Sequence, residues 1–392
     1  MGIHGAFRFH SVGQGLFYSG LLSKKDGKCR EVFSFVYDCG SESPTKFLNG
    51  EIADYKLLLP NVNGKKKLNL LVVSHLHDDH INGLENLLQD VDVDNVVMPY
   101  VNDGLKLLAR LESDRSNEFL QSFYVDPVAW FISKGVRRIF LLGSEETDQH
   151  RDTPESKLRN DLESEDLYVD GSILKLEKYE ETTIVYLSNT ATLSSYSFDW
   201  MFVFENLHEK SYRAERYVEI VENFKKKKFL TLDEIFKNKL LSKELKHELK
   251  SVFVGGDAIN RTSVVLLHKP KDISGKRYIS ASSIRYHNWI YEIDFDYCST
   301  LLTGDVRLKD DEHLEILSQT DHNPCFVLQY PHHGAGNNNI NYFCSLDAIV
   351  CLFSCGLTNR YGHPESDILK KWPRALVGVN ERSAFDYQIY MV

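Results

Sequence analysis

The sequence predicts an α/β (α+β) fold on three observations. NLLVVS (69–74) is a short, unbroken apolar run rich in branched residues, as a strand buried on both faces requires. HINGLENLLQDV then places Ile81, Leu84, Leu87 and Leu88 at helical spacing, and NVVMPY returns to a strand, so the order is strand, helix, strand. Strand-like segments also crowd both ends of the chain, around a middle of more helical character.

Taken in order, AFRFHSV, LFYSGLL and VFSFVYDCGS read as strands joined by the turn GQG and by the polar stretch KKDGKCRE. Residues 101–250 hold amphipathic helical stretches (LKLLARLES, VAWFISKGV) and strand-like runs (RRIFLLG, TIVYLS, DWMFVFE). A charged helical tract from about Ser211 to Leu249 follows, with KKKK at 225–228 read as a solvated face. From residue 252 the strand rhythm returns in TSVVLLH, WIYEIDF, TLLTGD, CFVLQYPHHG, DAIVCLFSCG, RALVGVN and FDYQIYMV. There is no internal repeat and no low-complexity linker. The expected organisation is one domain over 1–392, with 101–250 as insertions within it.

The chain has 392 residues, 42% of them hydrophobic, 26% charged and 12% aromatic, which suffices for a large and partly aromatic core. A net charge of −10 argues against a long basic clamp for nucleic acid, but not against a short strand end or nucleotide held by a local cation. Seven cysteines, an odd number with no CxxC pair, include Cys325 and Cys351 inside apolar runs, where Cys packs as a small core residue. That usage suits a reducing compartment. The start MGIHGAFRFHSVGQG lacks a signal-peptide pattern, and no stretch approaches the roughly 18 apolar residues of a membrane span. The expectation is a cytoplasmic protein with no membrane association.

Four strand-like runs end in residues of metal-ligand type: VYDCG (Asp38), SHLHDDH (74–80), LLTGD (Asp305) and YPHHG (His332, His333). His75 and His77 are two apart and share a face if the strand continues, so one ion can take both. Asp79 and His80 follow at the strand-to-helix turn, where a bent backbone can aim them at a second ion. Imidazole with carboxylate suits zinc, manganese or iron. The chain has no GxSxG and no GxxxxGK[ST], so serine-hydrolase and P-loop readings lack support.

HLHDDH (75–80) resembles the HxHxDH signature of the metallo-β-lactamase superfamily, and Asp38, Asp305 and the His332–His333 pair follow that family's order. Finer features resemble the hydrolase domain of ComEC-type DNA-uptake proteins: VGQG (12–15), NRTSVVL (260–266), PHHG (331–334) and NRYGHPE (359–365). Leu16-Phe17 stands where that branch carries Asp-Ala. The resemblance implies an αββα sandwich holding two divalent metal ions, zinc or manganese. It implies His75 and His77 on the first ion, Asp79 and His80 on the second, and Asp305 between them. One of His332 and His333 completes the second ion, His332 being slightly preferred. No histidine stands at the first ion's third position, where Asn260 and Ser263 are nearest.

Further roles follow from the resemblance. Asp38 orients a ligand histidine from behind, and Gln14, in its glycine turn, approaches the site. Asn359 belongs to the last motif, and His363 donates a proton to a leaving oxygen or holds a phosphate. Asp79 and His363 are thus the catalytic candidates, and the remaining histidines read as surface or core. The implied activity is a phosphodiesterase or nuclease acting on nucleic acid or a nucleotide through a water activated by two metals. Two alternatives stand beside it. One is a metallohydrolase of another ester or amide; the other is an effector subunit of a bacterial antiviral defence system, regulated by a protein partner bound through 101–250.

Overall fold

The computed structural model describes residues 2–26, 29–114, 116–144, 167–195, 197–206, 212–251, 259–271, 277–283, 286–292, 297–307, 324–336 and 338–391. Its strands are β1 (Ile3–Phe9), β2 (Phe17–Asp26), β3 (Cys29–Cys39), β4 (Asn61–Val62), β5 (Lys65–Val72), β6 (Val91–Pro99), β7 (Arg138–Leu142), β8 (Leu167–Tyr179) and β9 (Thr182–Ser195). The second half adds β10 (Trp200–Asn206), β11 (Val264–Pro270), β12 (Arg277–Ser283), β13 (Tyr286–Glu292), β14 (Thr300–Leu302), β15 (Cys325–Gln329), β16 (Ala348–Ser354), β17 (Ala375–Val379) and β18 (Phe385–Met391).

The strands form two arms that meet in β9. In one arm, β12, β18, β1, β2 and β3 are antiparallel neighbours, and β3, β5, β6, β7 and β9 then run parallel. In the other, β9, β10, β11 and β14 are antiparallel neighbours, and β14, β15, β16 and β17 run parallel. β9 is long enough to serve both arms: Thr183–Leu187 pair with β7, and Thr190–Ser195 pair with β10.

Side-chain alternation along these strands separates three apolar cores. Leu70 and Val72 of β5 join Leu266 of β11, Val327 and Leu352 in a core between the arms. Leu71 of β5 faces the other way, onto the helices Thr45–Leu58, Leu84–Leu88, Asp103–Glu112 and Lys239–Lys250. On the second arm Val265, Leu267 and Leu328 point outward onto the helices Ile340–Ser345 and Ser366–Lys371. Helices therefore cover the two outer faces of a paired-arm β core, and the predicted mixed α/β class is what forms. Parallel strands buried on both faces explain the unbroken apolar runs NLLVVS and CFVLQY.

The predicted helix after His80 is two short helices, Asp78–Ile81 and Leu84–Leu88. The break lies where the chain presses on β3: Gly83 N donates to Cys39 O at 2.9 Å, and a Cβ at Gly83 would stand 2.8 Å from that oxygen. The charged tract is likewise three helices, Tyr212–Lys228, Leu232–Lys237 and Lys239–Lys250, restarted by a Thr231–Glu234 capping box and by the Asn238 cap. Strands β7, β9 and β10, all within 101–250, are integral to the arms. Cys39, Cys298, Cys325, Cys351 and Cys355 are buried free thiols. Among the described residues no helix is long and apolar enough to cross a membrane.

Candidate metal centre

The residues singled out in the sequence meet where parallel strands of both arms end. SHLHDDH follows β5, the TGD turn follows β14, PHHG follows β15, and NRYGHP follows β16. Carboxyl ends of parallel strands are the usual place for such sites in α/β sheets.

Local backbone detail aims the side chains. Asp38 has φ +57° and is the extra residue of a bulge, since Phe17 pairs with Cys39 and Tyr18 with Tyr37. A bulge can re-aim a side chain at a strand end, and here the Asp38 carboxylate accepts from Ser74 N (2.7 Å), Ser74 Oγ (2.6 Å) and His80 Nδ1 (2.7 Å). His332 and His333 take φ values of +53° and +54° in a tight turn that ties back to the TGD turn through His332 N and Gly304 O (3.2 Å). The VGQG turn packs against the centre from below. Gly15 (φ +148°) lies so close that a Cβ there would stand 2.4 Å from Gly40 O and 2.6 Å from Asp79 O.

Asp79, His80, Asp305 and His333 converge so that their ligand-type atoms all lie within 4.8 Å of one another. His80 Nε2 is 3.3 Å from Asp305 Oδ1, and His333 Nε2 is 3.0 Å from Asp79 Oδ2 and 3.6 Å from Asp305 Oδ2. His75 and His77 sit alongside, with Nε2 of the first 3.1 Å from Nδ1 of the second, and the His75 ring is 4.2 Å from that of His80. The slight preference for His332 is corrected here. His333 is buried in the group, whereas the half-buried His332 reaches Asp305 only at 4.0 Å and faces Asn260 Nδ2 at 3.4 Å. The two histidines are adjacent, and the turn turns only one inward.

The outer nitrogen of each imidazole meets a hydrogen-bonding partner, which turns the inner nitrogen toward the group. His80 Nδ1 donates to Asp38, and His333 Nδ1 donates to Ser354 O at 2.7 Å. Ser74 gives its own proton to Asp38 and so accepts from His75 Nδ1 (2.9 Å). His77 Nε2 faces Glu112 Oε2 at 3.5 Å. His75 Nε2 and His77 Nδ1, meeting at 3.1 Å, can share either one proton or one cation between them. His80 Nε2 and Asp305 Oδ1 are buried 3.3 Å apart without a well-formed hydrogen bond. Such a donor set fits a metal ion.

The electrostatics are those of an anionic centre that draws positive charge. Burial opposes charge on Asp305, yet His333 and His80 hold its carboxyl well below the usual range; for Asp79, His80 and the His333 hydrogen bond overcome burial in the same way. Burial also disfavours charge on His80 and His333, but Asp305 and Asp79 raise both. His75, buried and beside His80, is pushed well below its ordinary value and stays neutral.

The remaining predicted residues divide. Gln14 is buried, accepts from Gly356 N at 3.2 Å and lines the same cavity, of about 350 Å³, as Asp79, Asn260, His332, His333 and His363. His363 stacks on Tyr361 (5.8 Å, 15°), its Nδ1 has no partner, and burial with the nearby His333 and His332 lowers its pKa. Asn359 does not line the cavity. It builds the loop instead, donating to Gly356 O and His363 O (2.8 Å each) and accepting from His363 N (3.0 Å). Ser263 is buried with an unpartnered Oγ, also outside the cavity lining.

Three contributors were not read from the sequence. Gln329 accepts from Thr303 N and Gly304 N (2.8 and 2.9 Å) and donates to Gly304 O (3.1 Å), fastening the TGD turn to the strand that carries PHHG. A lone amide ending the run CFVLQY was the available signal. Tyr124 Oη donates to Asp78 Oδ1 at 2.8 Å, bracing the HLHDDH loop. Glu112 backs His77 from a helix that carries no motif. The chain matches no protein-family model and no curated protein.

Proposed function

We propose that the protein is a metal-dependent phosphodiesterase of the metallo-β-lactamase type, closest to the ComEC-type hydrolase domain, acting on nucleic acid or a nucleotide. The observation that carries this reading is the convergence of Asp79, His80, Asp305 and His333 from three separate strand ends, at the wall of a cavity that Asp79, Asp305, His333 and His363 line. In this reading His75 and His77 hold one ion, Asp79, His80 and His333 hold the other, Asp305 lies between them, and zinc and manganese are the candidate metals. When bound, two such ions supply a water of lowered pKa and positive charge for a phosphate.

The chain's own groups do the rest. Asp38, Ser74 and Glu112 fix the tautomers of the ligand histidines, so that lone pairs point inward. His363 is neutral at pH 7. Substrate negative charge beside it raises its pKa, drawing in the proton that the ring passes to the leaving oxygen. In this reading the helices outside the two arms correspond to the outer layers of the αββα sandwich that this family uses.

The test is elemental analysis of the purified protein, with cleavage assays on single-stranded DNA, RNA and cyclic dinucleotides in Mn²⁺, Zn²⁺ and Mg²⁺. The expected result is metal-dependent cleavage that Asp79→Ala and His77→Ala abolish. Intact substrate in all three classes, with two metals bound, sinks the proposal.

A further inference from the structure

Five carboxylates line the cavity (Glu42, Asp78, Asp79, Glu112 and Asp305), against a single lysine, Lys250, among the described residues. An anionic substrate entering that cavity meets repulsion everywhere except at the metal ligands and at Lys250. The lysine is the last residue of the helix Lys239–Lys250, where the negative end of the helix dipole favours a cation.

Glu112 holds it there. Glu112 Oε1 lies 2.5 Å from Lys250 Nζ and 3.3 Å from Lys246 Nζ, while Oε2 faces His77 Nε2. One carboxylate thus meets two ammonium groups and leaves a positive excess beside His77. An ammonium has three donors, and the contact with Glu112 leaves the others for oxygens in the cavity. The conspicuous KKKK run is not this site: Lys225 pairs with Glu222 and Lys228 with Glu244, and neither lines the cavity.

We infer that Lys250, with Lys246 behind it, forms a phosphate subsite that takes a substrate phosphate next to the scissile one, and that Glu112 positions both this subsite and His77. The inference rests on the phosphodiesterase reading and narrows its substrate to chains carrying more than one phosphate. A lysine serves here as a point charge rather than a fork, so it recognises phosphate without reading bases.

The test is fluorescence anisotropy with a 5′-phosphorylated, phosphorothioate-linked oligothymidylate and Mn²⁺-loaded protein, which reads binding without turnover. Lys250→Gln is expected to raise Kd about tenfold and to flatten the slope of log Kd against log salt by about 0.7. Lys250→Arg is expected to recover most of the affinity, and Lys228→Gln to bind as the wild type does. Melting temperatures equal to the wild type exclude a folding defect. A wild-type protein that fails to bind the probe, or a Lys250→Gln variant with wild-type Kd and slope, overturns the subsite. Failure of the phosphodiesterase reading appears separately, as absent cleavage of natural linkages by the wild type.

Discussion

Asp38 Oδ2 lies 2.7 Å from His80 Nδ1, and both side chains are sealed from solvent. Through Ser74 the same carboxylate also orients His75, so one residue on a bulged strand end governs two imidazoles of the candidate centre. Asp38→Ala is expected to lower metal affinity about 10- to 100-fold, the usual effect of removing such a partner. Equilibrium dialysis against Zn²⁺ and Mn²⁺ checks this, and unchanged affinity would remove Asp38 from the centre.

The adjacent histidines His332 and His333 should part company. His333→Ala is expected to cut metal content and cleavage by at least about a hundredfold, because its Nε2 belongs to the buried group. His332→Ala should retain the metal, as its ring stands at the cavity edge against Asn260. Metal stoichiometry on the two variants decides, and equal losses would contradict the geometry.

Gly15→Ala tests the close approach of the VGQG turn to the Asp79 backbone. The added Cβ would meet two backbone oxygens, at 2.4 and 2.6 Å, and the residue's φ is one that side chains rarely adopt. A cost of about 1–3 kcal/mol is expected, together with weaker metal binding. Urea unfolding and dialysis on the same variant measure both.

His268 gives the protein a pH dependence remote from the site. It is fully buried among Phe7, Phe35, Trp200 and Phe202, with Nε2 2.7 Å from Tyr18 Oη and Nδ1 unpartnered. Burial lowers its pKa from 6.5 to about 3. The unfolded chain therefore takes up a proton near pH 6.5 while the folded one refuses it. Its contribution is complete above that pH and is lost as pH falls toward 3. At pH 4 the loss is on the order of 3 kcal/mol. Unfolding midpoints of His268→Phe should vary less between pH 6.5 and 4 than those of the wild type, and parallel curves would contradict the assignment.

Much of the fold and of the site was legible because it is local. Unbroken apolar runs marked the parallel strands, and HLHDDH, TGD and PHHG marked where they end. The three-residue period after His80 was read as one helix because nothing local reveals that Asn82 bonds Ser41 and Gly83 presses against Cys39. The choice between His332 and His333 was illegible for the same reason, since adjacent identical residues differ only in where the turn points them.

By itself the sequence determined the strand rhythm, the ligand-type residues and their order along the chain, since these follow from residue type and spacing. Only the tertiary structure decided which imidazole turns inward, which acceptors fix each tautomer, and that Glu112 and Lys250, from helices without a motif, stand beside His77. Most of those facts depend on contacts between separate elements, from 21 residues apart for His333 and Ser354 to 254 for His333 and Asp79, which no local pattern encodes.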